Sequence, residues 1–206
     1  MGWLTQSSKA IYLKSWADNL ISTFFQLHFI LFDILRNSRA NGSPAPPIEG
    51  MGFADASIVN TKEFMMGEIP SANGHASARG LAKIASAMAN QGKFESTQIL
   101  NQEAFDLLHE DAKEGDMVFH KNMFTKGGVA KFGPVKNETK VDRTFYEKRE
   151  GFFGWYGLGG SVMQWHPELK IGFAYIPTIL SWVDMANNKG GKLQELVVHV
   201  VQENQG

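Results

Sequence analysis

FFGWYGLGGSVMQW at residues 152–165, HPELK at 166–170 and IGFAYI at 171–176 form the stretch whose reading decides the fold. Two runs rich in aromatic and β-branched residues flank a proline-containing, charged break, the pattern of strands joined by a turn. We read 152–165 and 171–176 as an antiparallel hairpin, because a parallel pair needs a crossover of about a dozen residues. Downstream, residues 192–203 place Leu193, Leu196, Val197, Val200 and Val201 on one side of a helix. Such an amphipathic face calls for a sheet to lie against. Strand, strand, then helix predicts an α+β layered fold.

Upstream, Ser77 is a fitting N-cap for a helix carrying Leu81, Ile84, Ala85 and Met88, and Gly92 is its expected C′ stop. A second helix is expected from N-cap Asn101 through Phe105, Leu107 and Leu108, ending at the polar residues 109–111. Residues 41–52 (NGSPAPPIEGMG) hold three of the seven prolines together with Gly42, Gly50 and Gly52, a composition suited to a linker. The expected organisation is an N-terminal helical segment over 1–40, the linker over 41–52, and a domain over 53–206. Between residues 121 and 149 there are eight basic and three acidic residues. The lysines there are spread rather than clustered, so a solvated loop is the expected reading over an anion-facing surface.

The chain has 206 residues, 43% of them hydrophobic and 12% aromatic, enough to bury a core and to exclude a disordered chain. Lys and Arg number 20 against 21 Asp and Glu, so the basic excess for binding a phosphate backbone is missing and no nucleic-acid partner is expected. Cysteine is absent, which excludes disulfide scaffolds, thiolate metal sites and Cys nucleophiles. The most apolar stretch, residues 20–35, is shorter than the ~20 residues of a bilayer span and carries Gln26, His28 and Asp33; no membrane span is expected. A 19-residue polar lead and Asp33 also argue against a signal peptide, so a cytoplasmic location is favoured over secretion. Gly2 lacks the Ser or Thr at position 6 that myristoylation needs, since Gln6 stands there. The sequons at Asn41 and Asn137 matter only in a secretory lumen.

The six histidines, at 28, 75, 109, 120, 166 and 199, form no HxH, HxxxH or HExxH pair, so neither a metal nor another cofactor is expected. The glycines at 157, 159 and 160 precede a strand rather than a helix N-terminus, which argues against a phosphate loop. Ser161 lies in GGSVM, one residue short of the G-x-S-x-G nucleophile elbow, and reads as a strand serine after a glycine turn. Ser-x-x-Lys, in which one helical turn sets an amine beside a hydroxyl, does not occur, nor do Tyr-x-Asn, Lys-Thr-Gly or Lys-Ser-Gly. Ser71-Ala72-Asn73 matches Ser-x-Asn, and a turn led by Pro70 explains it equally well.

Two blocks, residues 68–90 (EIPSANGHASARGLAKIASAMAN) and 151–177 (GFFGWYGLGGSVMQWHPELKIGFAYIP), resemble the serine β-lactamase-related family. That family comprises class C β-lactamases, esterases, penicillin-binding proteins and the animal β-lactamase-domain proteins. The resemblance implies the C-terminal portion of a β-lactamase/transpeptidase-like fold. In it the second block is the strand beside the active site, its hairpin partner and the approach to a closing helix. The family's Lys-Thr-Gly or His-x-Gly motif falls on Trp155-Tyr156-Gly157, with the Leu158 amide as an oxyanion donor. Trp155, Tyr156, Gly157, Leu158, Gly159, Gly160 and Ser161 would form the substrate wall. Trp155 replaces a cation or imidazole, and with Tyr156 it would favour an apolar or ester-like acyl ligand over a carboxylate. The motifs that supply the nucleophile and base come earlier in the family than anything that matches here. The expectation is thus a truncated chain of an esterase-like serine hydrolase family, a pseudoenzyme inactive alone. The alternative is a non-catalytic binding or assembly module that pairs with a chain supplying the missing half. A third possibility is an unrecognised hydrolase using Ser161 with His75 or His166.

Overall fold

A computed structural model describes residues 61–68, 70, 74–117, 120–157, 160–178, 184 and 187–204. The expected N-terminal segment, the linker and Ser71-Ala72-Asn73 lie outside the described residues. A short helix α1 (Lys62–Met65) is capped by Thr61, whose hydroxyl accepts from the Phe64 amide. Helix α2 (Ala78–Ala89) starts where the sequence predicts, with Ser77 Oγ accepting from the Gly80 amide at 3.1 Å. Its cap is Asn90, and both Gln91 and Gly92 are left-handed, so Gly92 lies one residue later than the expected C′. A Cβ at Gly92 would also come 2.7 Å from Leu100 Cβ. A small ribbon of β1 (Lys93–Phe94) and β2 (Thr97–Gln98) follows, then α3 (Gln102–His109) with the expected cap Asn101.

Six antiparallel strands form the main sheet, in sequence order: β3 (Lys113–Asp116), β4 (Lys121–Phe124), β5 (Ala130–Lys131), β6 (Phe153–Tyr156), β7 (Val162–His166) and β8 (Ile171–Tyr175). Helix α4 (Lys140–Tyr146) lies between β5 and β6, and α5 (Asn188–Glu203) follows β8. The fold is α+β. The hairpin across residues 166–170 forms as expected, pairing His166 with Ile171 and Trp165 with Gly172. Residues 152–165 are not one strand, however. The chain reverses between Gly157 and Ser161, with the Gly157 amide donating to the Ser161 carbonyl at 2.7 Å and Gly160 at φ +109°. This reversal is the glycine turn expected ahead of Ser161, and positive-φ glycine permits it.

Residues 121–149 are likewise no solvated loop: they hold β4, β5 and α4. Their lysines are spaced among residues that turn inward, including Phe132, Val135, Val141 and Phe145, all buried. Helix α4 is fixed by a capping box in which Thr139 and Asp142 serve each other's backbone amides. Asp142 Oδ1 also accepts from the Lys121 amide at 2.6 Å, tying α4 to β4. Strand β3 (KEGD) escaped the sequence reading because it is a charged edge strand without an apolar alternation.

Strand alternation gives the sheet two different faces. Phe153 and Trp165 share a cluster with Ala85 and Ala89 of α2. Gly172 lies on that face, where its backbone meets Ser86 and Ala85. The opposite face takes α5, where Gly190 approaches Val162 and Tyr175, and where Gln194 Nε2 donates to Gln164 Oε1 at 2.8 Å. Both glutamines are fully buried. Helix α5 starts at Asn188, a turn before the expected residue 192, because Asp184 Oδ1 accepts from the Asn188 amide at 2.6 Å. The expected apolar face does not meet the sheet. Leu193, Leu196, Val197 and Val200 are exposed, and the buried positions are Gly190 and Gln194, because glycine permits close approach and the two glutamine amides share a buried hydrogen bond. No helix among the described residues is long and apolar enough to cross a membrane.

Candidate functional site

The singled-out residues gather where β6 ends. Trp155 is 38% exposed and pairs with Met163, with the Phe124 ring 5.8 Å away. Tyr156, next along the strand, is buried. The expectation that both aromatics offer ligand surface is therefore corrected: Trp155 is partly exposed, while the Tyr156 ring stacked on it at 4.9 Å is buried. Gly157 opens the turn, and a side chain on it would meet Ser161 Cβ at 3.4 Å. Ser161 leads into β7, and among the described residues its hydroxyl has no imidazole or amine partner. Leu158 and Gly159, including the expected oxyanion amide, lie outside the described residues.

Below the turn, Tyr156 Oη and His120 Nε2 are 2.7 Å apart, and the His120 ring stacks on Phe145 at 3.8 Å. Burial pushes the Tyr156 phenol up, opposed by Arg149, and lowers His120 to about 4, partly offset by Asp142. Both groups are neutral at pH 7. The Arg149 guanidinium lies 5.7 Å from the Tyr156 ring centroid and donates to the carbonyls of Phe145 at 3.2 Å and Asn187 at 3.0 Å. Burial lowers its pKa as well, with Tyr156 and Asp184 acting against the shift. At the far end of the turn, Gly160 faces Asp184 Oδ2 and Asn187 Oδ1, and Asn187 is itself left-handed and fully buried.

His75 and His166, considered as bases, and His109 are placed differently. His166 Nδ1 accepts from the Leu169 amide at 3.2 Å, and the ring sits edge-on to Phe152, so it organises the 166–170 turn. His109 Nε2 accepts from Trp165 Nε1 at 2.8 Å while its Nδ1 is 2.6 Å from the Phe105 carbonyl, joining α3 to β7. Exposed His75 precedes α2. No group of three His, Asp or Glu side chains among the described residues could hold a metal ion. Sequence reasoning missed His120, Arg149, Asp142 and Asn187 as partners around Tyr156. Their contacts join positions such as 120 with 156 and 149 with 187, and no local spacing signals them.

The arrangement offers a half-exposed indole beside a glycine turn, backed by an aromatic interior that holds the Arg149 guanidinium against Tyr156. It can hold an apolar group against the exposed part of Trp155. Comparison of the chain with protein-family models, curated proteins and solved structures finds no match in any of the three.

Proposed function

We propose that this chain is a β-lactamase-related domain that binds a short acyl or ester-like ligand at the Trp155 edge of β6 and does not hydrolyse it alone. The observation carrying the reading is half-exposed Trp155 in the last turn-ward pair of β6, two residues before Gly157, with the hairpin and closing helix following in the order the resemblance implies. An indole attracts an apolar acyl chain and gives a substrate carboxylate no ionic partner. The absence of Ser-x-x-Lys and Tyr-x-Asn from these 206 residues leaves no recognised nucleophile and base. A second reading, an assembly module, is favoured by the exposed apolar stripe of α5.

The test combines labelling with binding. A fluorophosphonate probe is expected to leave the purified chain unlabelled, and a chromogenic short-chain ester to show no turnover above buffer. A non-hydrolysable acyl amide followed by equilibrium dialysis is expected to bind, with Trp155→Ala weakening it about tenfold. Stoichiometric labelling that disappears in Ser161→Ala would overturn the non-hydrolytic reading. Binding indifferent to Trp155→Ala would remove the proposed wall.

A further inference from the structure

The C-terminal helix carries a stripe that the site does not use. Lys189, Leu193, Leu196, Val200 and Glu203 follow one another at spacings of four, three, four and three residues, the 3.5-residue repeat of a helix seam. Leu193 is 47% exposed, Leu196 58% and Val200 47%, with Val197 beside them. The buried side of the same helix, Gly190 and Gln194, is already committed to the sheet, so this stripe faces away from it. Scattered exposed leucines need no explanation, but four apolar side chains contiguous along one helix face do.

We infer that α5 pairs with α5 of a second copy of this chain in an antiparallel, two-fold symmetric contact centred on Leu196. The charges at the ends of the stripe choose the occupant and its direction. In an antiparallel pair Lys189 of each copy lies opposite Glu203 of the other, whereas a parallel pair sets lysine against lysine and glutamate against glutamate. Glu203 contacts His199 of its own helix at 3.2 Å, yet its side chain stays 64% exposed and can reach the seam. Leu193 then packs against Val200 across the axis, and Leu196 against Val197. One helix face is smaller than the ~800 Å² per partner of a standard interface, so the dimer is weak and concentration-dependent. This inference does not rest on the acyl-ligand reading.

Sedimentation of the full chain across roughly 1–200 μM, a range that brackets weak association, is expected to show monomer passing to dimer. Leu196→Glu should raise the dissociation constant at least about tenfold. Lys189→Glu and Glu203→Lys should each weaken the dimer about twofold to fivefold, and the double exchange should restore it. Because the natural chain has no cysteine, Leu196→Cys is expected to crosslink to itself under mild oxidation. Lys189→Cys should not, since its two copies stand roughly 20 Å apart along the antiparallel pair. Self-crosslinking of Lys189→Cys would overturn the antiparallel register. A monomer at every concentration would overturn the dimer, including one that loses thermal stability on Leu196→Glu, the behaviour of a stripe covered by another part of the same chain.

Discussion

Gly172→Ala is expected to destabilise the domain by about 3 kcal/mol, although alanine is ordinarily no worse than glycine in a strand. The sign follows from what stands over this residue. A Cβ built there would lie 2.5 Å from Ser86 Cα and 2.7 Å from the Ala85 carbonyl carbon, both backbone atoms of α2. A flexible side-chain tip could swing away, but helix backbone moves only if α2 lifts from the sheet. Lifting would open the cluster of Ala85, Ala89, Phe153 and Trp165, whose small helix residues set the close approach. For a domain of this size the loss corresponds to a melting temperature lower by about 6–12 °C. Gly74→Ala is the control, because a Cβ added at Gly74 would meet nothing within 4 Å and the backbone there is not left-handed; it should change stability by less than about 0.5 kcal/mol. Equal urea midpoints for the two variants would mean that α2 does not rest on β8 as described.

The same contact shows how far the sequence could be read. Ser77 and Asn101 announced their helices because an N-cap acts within three residues of itself, and the 166–170 turn announced the hairpin for the same local reason. The glycines ahead of Ser161 announced a turn, but the apolar residues on both sides let 152–165 be taken as one arm of the hairpin, and β3 was concealed by its charges. Helix α5 misled in a more instructive way. Its periodicity identified the helix, but amphipathicity alone does not say which face the sheet takes, and here Gly190 and Gln194 prevail over the leucines through close approach and a paired buried amide. At the candidate site, Trp155 through Ser161 were found as a contiguous string. The groups packed on Tyr156 come from the residue before β4, from α4 and from Arg149 after it, and distance in sequence kept them out of sight.

Acid should weaken the fold well before its carboxylates protonate, and His120 is the main cause. Its imidazole is stacked on Phe145 and bonded to Tyr156, and burial lowers it from the usual 6.5 to about 4, with Asp142 opposing. Burial also lowers His109, against the Phe105 carbonyl and Asp106, and lowers His166, against Glu168 and the backbone of Glu150. Above pH 6.5 these rings are neutral folded or unfolded, and their stabilisation is fully present. As pH falls below 6.5, the unfolded chain takes up protons that the folded chain refuses, so stability drops until the folded pKa is passed. For His120 alone the loss is about 2 kcal/mol by pH 5. Glu114 and Glu138 are also lowered, by the Lys136 amide and by the Tyr146 hydroxyl respectively, but carboxylates contribute in a lower window, below about pH 4.5. Urea midpoints at pH 7.5 and pH 5 therefore isolate the imidazoles. His120→Gln keeps an acceptor for the Tyr156 hydroxyl without the titrating ring, and it should remove most of the difference between the two midpoints. An unchanged difference would assign the acid sensitivity to His109 and His166 and leave His120 accessible to solvent protons.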